Sequence, residues 1–365
     1  MTLAYLSKRR LAAALFGVLV VLLALLVAIR NDMVQADKAF VELSYEIESS
    51  LTRKLDSLNA TMRSLSGMHH AMTLLSQQEL SAFAQEIERS HPYVKAIVQL
   101  RQIDHAQRRP YEAEMQEAGF PTFSLRAADS DGGLSESPKK VQYMVLHAVE
   151  PLDPGLARYL GLDVYSSPLL QYAIARAIAN ADIAVAPGKP LADNAFLLVK
   201  SVYKGFFVPE LPSERAAQAQ GAYALLIDVH AFLADVLHDH PTLGVTLSSG
   251  GLGETGQPVL FSRHTPEPNG LIARLLPVER RITNVTVGDD LFRIDVEANL
   301  DASVFRPVHW VALVASLCGL YLAAVLVVYT RVRAAEGARE AREQLFAEKE
   351  RAHVTLQSIG EAVIT

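Results

Sequence analysis

Leu11-Ala-Ala-Ala-Leu-Phe-Gly-Val-Leu-Val-Val-Leu-Leu-Ala-Leu-Leu-Val-Ala-Ile29 is an unbroken apolar run of 19 residues, and a second run, Val308 to Tyr329, lies near the other end of the sequence. Each exceeds the ~18 apolar residues that mark a membrane-spanning helix. Together they explain why 50% of the 365 residues are hydrophobic and why the mean hydropathy is +0.17 although 20% of residues are charged. This excludes a simple cytosolic enzyme. The first run also has features of a cleaved signal peptide, with Lys8-Arg9-Arg10 before it and Val34-Gln35-Ala36 as a cleavage site. Its length exceeds the ~7–15 residues of a signal core and favours an uncleaved anchor.

Charge orients the two runs. Residues 1–30 carry Lys8, Arg9, Arg10 and Arg30 with no acid, whereas residues 31–308 have a net charge of −10 and the segment after the second run is neutral. Basic residues just before the first run, and Arg331 and Arg333 just after the second, place both termini in the cytoplasm by the positive-inside rule. The chain is therefore expected to be a two-pass membrane protein, with residues 30–307 outside the cytoplasm. An acidic outer segment lacks the basic stripe that a nucleic-acid surface needs. The only cysteine, Cys318, lies in the second run, so the outer segment has neither a disulfide nor a thiol nucleophile and must be held by its own core.

From Asn31 to Gly67 apolar residues recur at helical spacing (Phe40, Ile47, Leu51, Leu55, Leu58, Met62, Leu65), with no proline. This predicts a stalk helix over 30–75 that packs in part against a second copy. A helix over Gln77 to Arg89 follows, opened by Ser76 with Glu79 in a capping-box pattern. The period then shortens. Val94–Leu100, Gln142–Val149, Phe196–Tyr203, Ala222–Val229, Gly244–Leu247, Pro258–Phe261, Asn284–Val287 and Leu291–Glu297 read as strands. Between the second and third lies an alanine-rich helix, Pro168 to Ala181, and Asp129 to Lys140 reads as a mobile loop. The expected architecture is α+β: two small units, 76–228 and 229–307, on a helical stalk, with membrane helices at 11–29 and 308–329. Residues 1–10 are cytoplasmic. Residues 330–355 form a charged helix in which Ala338, Leu345 and Ala352 are spaced by seven, which suits either a parallel coiled coil or a solvated single helix. The sequence ends on the strand-like Glu361-Ala-Val-Ile-Thr365, an ending that suggests a further domain.

Catalytic motifs are absent. Gly251-Leu-Gly-Glu-Thr-Gly256 matches a dinucleotide pattern, but a strand follows it rather than the helix N-terminus that would hold a pyrophosphate, so it reads as a hairpin turn. His230, His238 and His240 lie near Asp228, Asp235 and Asp239 without a recognised metal spacing, and His69-His70 is weaker still. No GxSxG, HExxH or P-loop occurs. The chain is expected to be no enzyme and to need no cofactor or metal.

Several ordered stretches resemble the CHASE family, the extracytoplasmic sensory domains of bacterial cyclases and histidine kinases and of plant cytokinin receptors. They are Tyr111-Glu-Ala-Glu-Met-Gln-Glu-Ala-Gly119-Phe120-Pro-Thr-Phe123, His147-Ala-Val-Glu150-Pro151, Gly161-Leu-Asp163, Val199-Lys-Ser-Val-Tyr203 and Gly221-Ala-Tyr-Ala-Leu-Leu-Ile-Asp228. Ser201 stands where the family usually has proline. The resemblance covers residues 90 to 235. It implies two PAS-like units on a stalk, and an unknown small ligand bound in the membrane-distal unit between its sheet and the loops over it. The cytokinin receptors have an acidic ligand contact at the position of Glu150, and Tyr143, Lys200 and Tyr203 would flank the same pocket. The two tyrosines serve equally well as core residues, and Asp163 suits a helix cap better than a ligand contact. Leu356 to Thr365 resembles the start of a cytoplasmic PAS domain, of the kind often followed by cyclic di-GMP enzymes. These resemblances imply a sensor of the bacterial inner membrane, with residues 30–307 periplasmic or extracellular, that signals through the second membrane helix as a homodimer joined by its stalk and signalling helices. The alternative is a membrane-anchored interaction or scaffold protein without a small-molecule pocket.

Overall fold

The computed structural model describes residues 2–72, 77–129, 133–249, 259–266, 278–288, 290–299 and 307–363. They fall into two units, Asp37–Asp301 and the segments Met1–Ala36 with Ala302–Thr365. Helix α1 (Thr2–Met72) carries the first apolar run and the stalk, and α9 (Pro307–Val363) carries the second run and the charged tail. Both are long and apolar enough to cross a membrane, with mean hydropathies of 1.8 and 2.2 over their best windows. In the unit they share, the Trp310 indole N–H donates to Asp32 at 2.9 Å. The strand-like reading of residues 361–363 is corrected, because α9 continues through them. An isolated strand leaves its backbone groups without partners, whereas a helix satisfies them within the segment.

The unit Asp37–Asp301 is built on two antiparallel sheets. The larger joins β1 (Val94–Asp104), β4 (Gln142–Glu150), β5 (Ala184–Pro187), β6 (Ala195–Tyr203) and β7 (Ala219–Asp228) in the order β4-β1-β7-β6-β5. The smaller joins β8 (Gly244–Ser249), β9 (Val259–Arg263), β10 (Val278–Val287) and β11 (Asp290–Asn299) in the order β10-β11-β8-β9. Reversed, the second order repeats the first: second strand, first strand, last strand, next to last. The mixed helix-and-sheet architecture expected from the sequence is present, and the larger sheet has five strands where the smaller has four.

Period-two alternation gives the large sheet two apolar faces. Phe196, Leu198, Tyr223, Leu225 and Ile227 face the stalk and share one core with Ile47, Leu51, Leu55, Leu58, Met62 and Leu65 of α1, with α2 (Gln77–Ser90) and with the small sheet. The stalk's apolar stripe is thus covered within the chain, and its burial needs no second copy. On the other face, Ala184, Ala186, Ala195, Ala222 and Ala224 meet Ala173 and Ala177 of α5 (Pro168–Asn180) in a second core. Methyl groups on both surfaces let helix and sheet approach closely. Pro168 occupies the first turn of α5, and Ala181 ends it in the left-handed conformation (φ 54°).

The expected loop over 129–140 is in part a two-stranded ribbon, β2 (Arg126–Ala128) with β3 (Leu134–Glu136). Strands of three residues carry no alternation long enough to read. The same applies to β5 and to the short helix α6 (Pro212–Gln218), neither of which the sequence predicted. After β7 the chain forms two short helices, α7 (Val229–Phe232) and α8 (Ala234–Asp239). Ser76 and the glycine-rich stretch 251–256 lie outside the described residues.

Candidate functional site

Over the α5 side of the large sheet the chain folds a layer from α3 (Arg108–Glu117), the β2–β3 ribbon and residues 153–167. Residues 161–163 lie between β4 and β2, with Leu146 N–H donating to the Leu162 carbonyl at 2.8 Å and Arg126 N–H to the Gly161 carbonyl at 2.9 Å. Gly161 has φ +83°, and a Cβ there would overlap the Ser124 carbonyl oxygen, so glycine is required. The chain can then turn Asp163 inward.

Asp163 is fully buried and accepts hydrogen bonds from Lys140 Nζ (2.6 Å), Ser137 Oγ (3.3 Å) and the backbone N–H groups of Met144 (3.3 Å) and Tyr165 (3.2 Å). The last of these caps the turn Val164–Ser166. A buried carboxylate is tolerable only with such partners. Tyr143 is also fully buried; its hydroxyl accepts from Lys140 N–H at 3.0 Å and bonds His105 Nδ1 at 2.9 Å. Lys140 therefore ties Tyr143 to Asp163. Tyr203, further along this face, donates to the Ile178 carbonyl at 2.8 Å and pins the end of α5, and burial pushes its pKa up to about 12.

The structure does not bring the five expected site residues together. Lys200 alternates with Val199 and Tyr203 in β6 and faces the stalk, where it donates to the Ala181 carbonyl at 3.1 Å. Burial holds its pKa below the usual lysine value although Asp182 opposes the shift. Glu150, at the end of β4, faces α2 and accepts a 3.4 Å hydrogen bond from Gln77. It lines a cavity of about 240 Å³ with Ala84, Ile87 and Pro92, apart from the two tyrosines. The placement of Lys200 and Glu150 with Tyr143 and Tyr203 is thus corrected: Lys200 points to the face of β6 opposite Tyr203, and β4 carries an extra residue between Tyr143 and Glu150 that breaks the alternation.

Two groups of this layer escaped the sequence reading. Tyr111 of α3 bonds His147 Nδ1 at 2.7 Å, and burial, with the Arg101 guanidinium nearby, lowers the His147 pKa to about 4. Arg126 donates through Nη2 to the Leu160 carbonyl at 2.7 Å, while its Nε is buried without a hydrogen-bond partner. No short-range spacing marks either pair. Of the histidine and aspartate residues around the end of β7, Asp228 caps α7 and pairs with Lys95 at 2.7 Å, and Asp235 pairs with Lys54 at 2.8 Å. Among the described residues no three metal-ligating side chains converge.

The CHASE domain family matches residues 74–261, just over half of the chain. No curated protein matches the sequence. Among solved structures, three that are similar at low identity are the following. An extracellular ligand-binding receptor from Desulfohalobium retbaense is 10% identical with a TM-score of 0.38, over 70% of this chain and 40% of its own. The chain thus spans less than half the length of that receptor. The periplasmic sensory domain of a Campylobacter jejuni chemoreceptor is 13% identical with a TM-score of 0.42, over 72% of this chain and 94% of its own. The ligand-binding domain of a Pseudomonas aeruginosa amino acid chemoreceptor, solved with GABA, is 11% identical with a TM-score of 0.34, over 70% and 98%.

Proposed function

Because the chain belongs to the CHASE domain family, we propose that it is the sensory input of a two-pass inner-membrane receptor. A small ligand enters the loop layer over the large sheet, the layer tightens on it, and the stalk and α9 carry the change to a cytoplasmic output. Such a switch works only if the ligand binds one of two conformations more tightly.

The observation that carries the site is Arg126. A guanidinium N–H buried without an acceptor from the chain is costly, and a carbonyl or carboxylate of a ligand admitted when the layer opens would supply one. The Lys140–Asp163–Tyr143 cluster beside it is rigid, satisfied scaffolding, so these residues position the layer, and the ligand contact falls to Arg126. The test is thermal unfolding of the full chain in detergent against a broad metabolite library. A ligand at a hundred times its Kd adds about 2.7 kcal/mol to stability, and Arg126→Gln should remove that shift. If no compound stabilises the protein, the proposal fails. If Glu150→Ala removes the shift and Arg126→Gln does not, the ligand sits in the α2-side cavity instead.

One observation favours the interaction-protein alternative. Phe206 and Phe207, after β6, are 75% and 85% exposed. That alternative predicts no small-molecule stabilisation and a partner whose binding is lost in Phe207→Ser.

A further inference from the structure

At the end of α1 a polar cavity of about 260 Å³ opens against the stalk side of the large sheet, with a rim that reaches Arg101, Asp104, Gln107 and Gln142 at the end of β1 and β4. It has room for roughly nine waters at their share of liquid volume. Its inner wall combines His69 from α1 with Gln99 of β1 and Gln220 and Tyr223 of β7. His69, Gln99 and Tyr223 are all buried. Their hydrogen bonds run in one consistent direction. Gln99 Nε2 donates to the Tyr223 hydroxyl at 3.2 Å, that hydroxyl meets His69 Nδ1 at 3.1 Å, and His69 Nε2 meets Gln220 Oε1 at 3.3 Å. The chain uses the amide nitrogen of Gln99 and the amide oxygen of Gln220. The Gln99 oxygen, an acceptor, and the Gln220 nitrogen, a donor, stay available to a guest.

We infer that this cavity is a second ligand site, for a small neutral polyhydroxylated molecule such as a monosaccharide or inositol, that clamps the end of the stalk helix to the sheet. A hydroxyl group both donates and accepts, so neighbouring hydroxyls match an amide oxygen and an amide nitrogen together. The charged residues of the lining are at its outer part: Asp104 and Lys204 are exposed and of opposite sign, and Arg101 pairs with Glu114 and lies over the Tyr111 ring. The buried wall of glutamines and tyrosine thus offers dipoles and no countercharge, which disfavours a buried ionic guest, and an apolar guest would leave the amides unpaired. A molecule held by β1, β7 and α1 at once binds best at one position of the stalk relative to the sheet. By linkage it favours that position. The site is separate from the one proposed over the loop layer.

The full chain in detergent is titrated with D-glucose, D-galactose, D-ribose and myo-inositol to millimolar concentration, followed by calorimetry and thermal unfolding. At least one is expected to bind saturably. Gln99→Leu and Gln220→Leu should each weaken that binding by roughly tenfold or more, the order of one lost hydrogen bond. Gln220→Glu keeps the shape and removes the donor, so its loss of binding is read even if the leucine variants unfold. Arg126→Gln should leave polyol binding intact, which separates this site from the loop-layer site. Absence of binding by all four probes, or undiminished binding in Gln220→Glu, overturns the inference.

Discussion

His147 shows how a single buried side chain gives the unit a pH dependence. Its pKa of about 4 lies below the ordinary 6.5, because burial and the nearby Arg101 cation both disfavour the imidazolium. The Tyr111 hydroxyl, 2.7 Å away, donates to an unprotonated Nδ1. The unfolded chain takes up a proton here as pH falls below 6.5, and the folded chain does so only near 4. The neutral histidine therefore contributes stability that is complete above pH 6.5 and is lost progressively as pH falls towards 4. In His147→Gln that part of the slope should disappear, which melting temperatures between pH 7 and pH 5 will reveal. An unchanged slope would mean that His147 is protonated in the fold.

At the scale of elements, the stalk is an internal core helix as well as a connector. Leu58 is 0% exposed, in contact with a core that both sheets share. Leu58→Ala should cost about 2–5 kcal/mol, measured by denaturant unfolding of the full chain in detergent. A loss below 1 kcal/mol would mean that the stripe is not packed as described. The β10–β11 turn is a second connector. Asp290, 1% exposed, accepts from Arg176 of α5 at 2.8 Å and from the Val185 N–H of β5 at 2.8 Å. Gly288 fits beside it because a Cβ would crowd the Ile183 carbonyl at 2.8 Å. Asp290→Ala removes a charge-assisted acceptor and should cost about 1.5–3 kcal/mol, and it should loosen the small sheet from the large one in hydrogen exchange.

For the whole molecule, the proposed two-pass topology makes a prediction that needs no ligand. With Cys318 changed to serine, Val141→Cys should react in intact cells with a maleimide that cannot cross the inner membrane, since Val141 is 87% exposed. Gln344→Cys, on the charged part of α9, should react only after lysis. The reverse pattern would invert the topology. The family match extends beyond the large sheet and ends at residue 261, within β9.

The sequence by itself determined the two apolar helices, the stalk's helically spaced stripe, eight of the strands and the family, because each rests on a run or period long enough to register locally. Phe40 to Leu65 could be read as a buried face from spacing alone, and Asp163 as a cap from its place before a turn. Only the tertiary structure decided what lies together. Whether Lys200 shares a pocket with Tyr203 depends on which face of β6 is covered by what, and whether Glu150 meets Tyr143 depends on an irregularity between β1 and β4 that shifts the register after Gln99. Arg126, His147 and the glutamines around His69 acquire their surroundings from segments distant in sequence. Local periodicity fixes which way a side chain points relative to its neighbours, but a binding site is made by the non-local packing that determines what it points at.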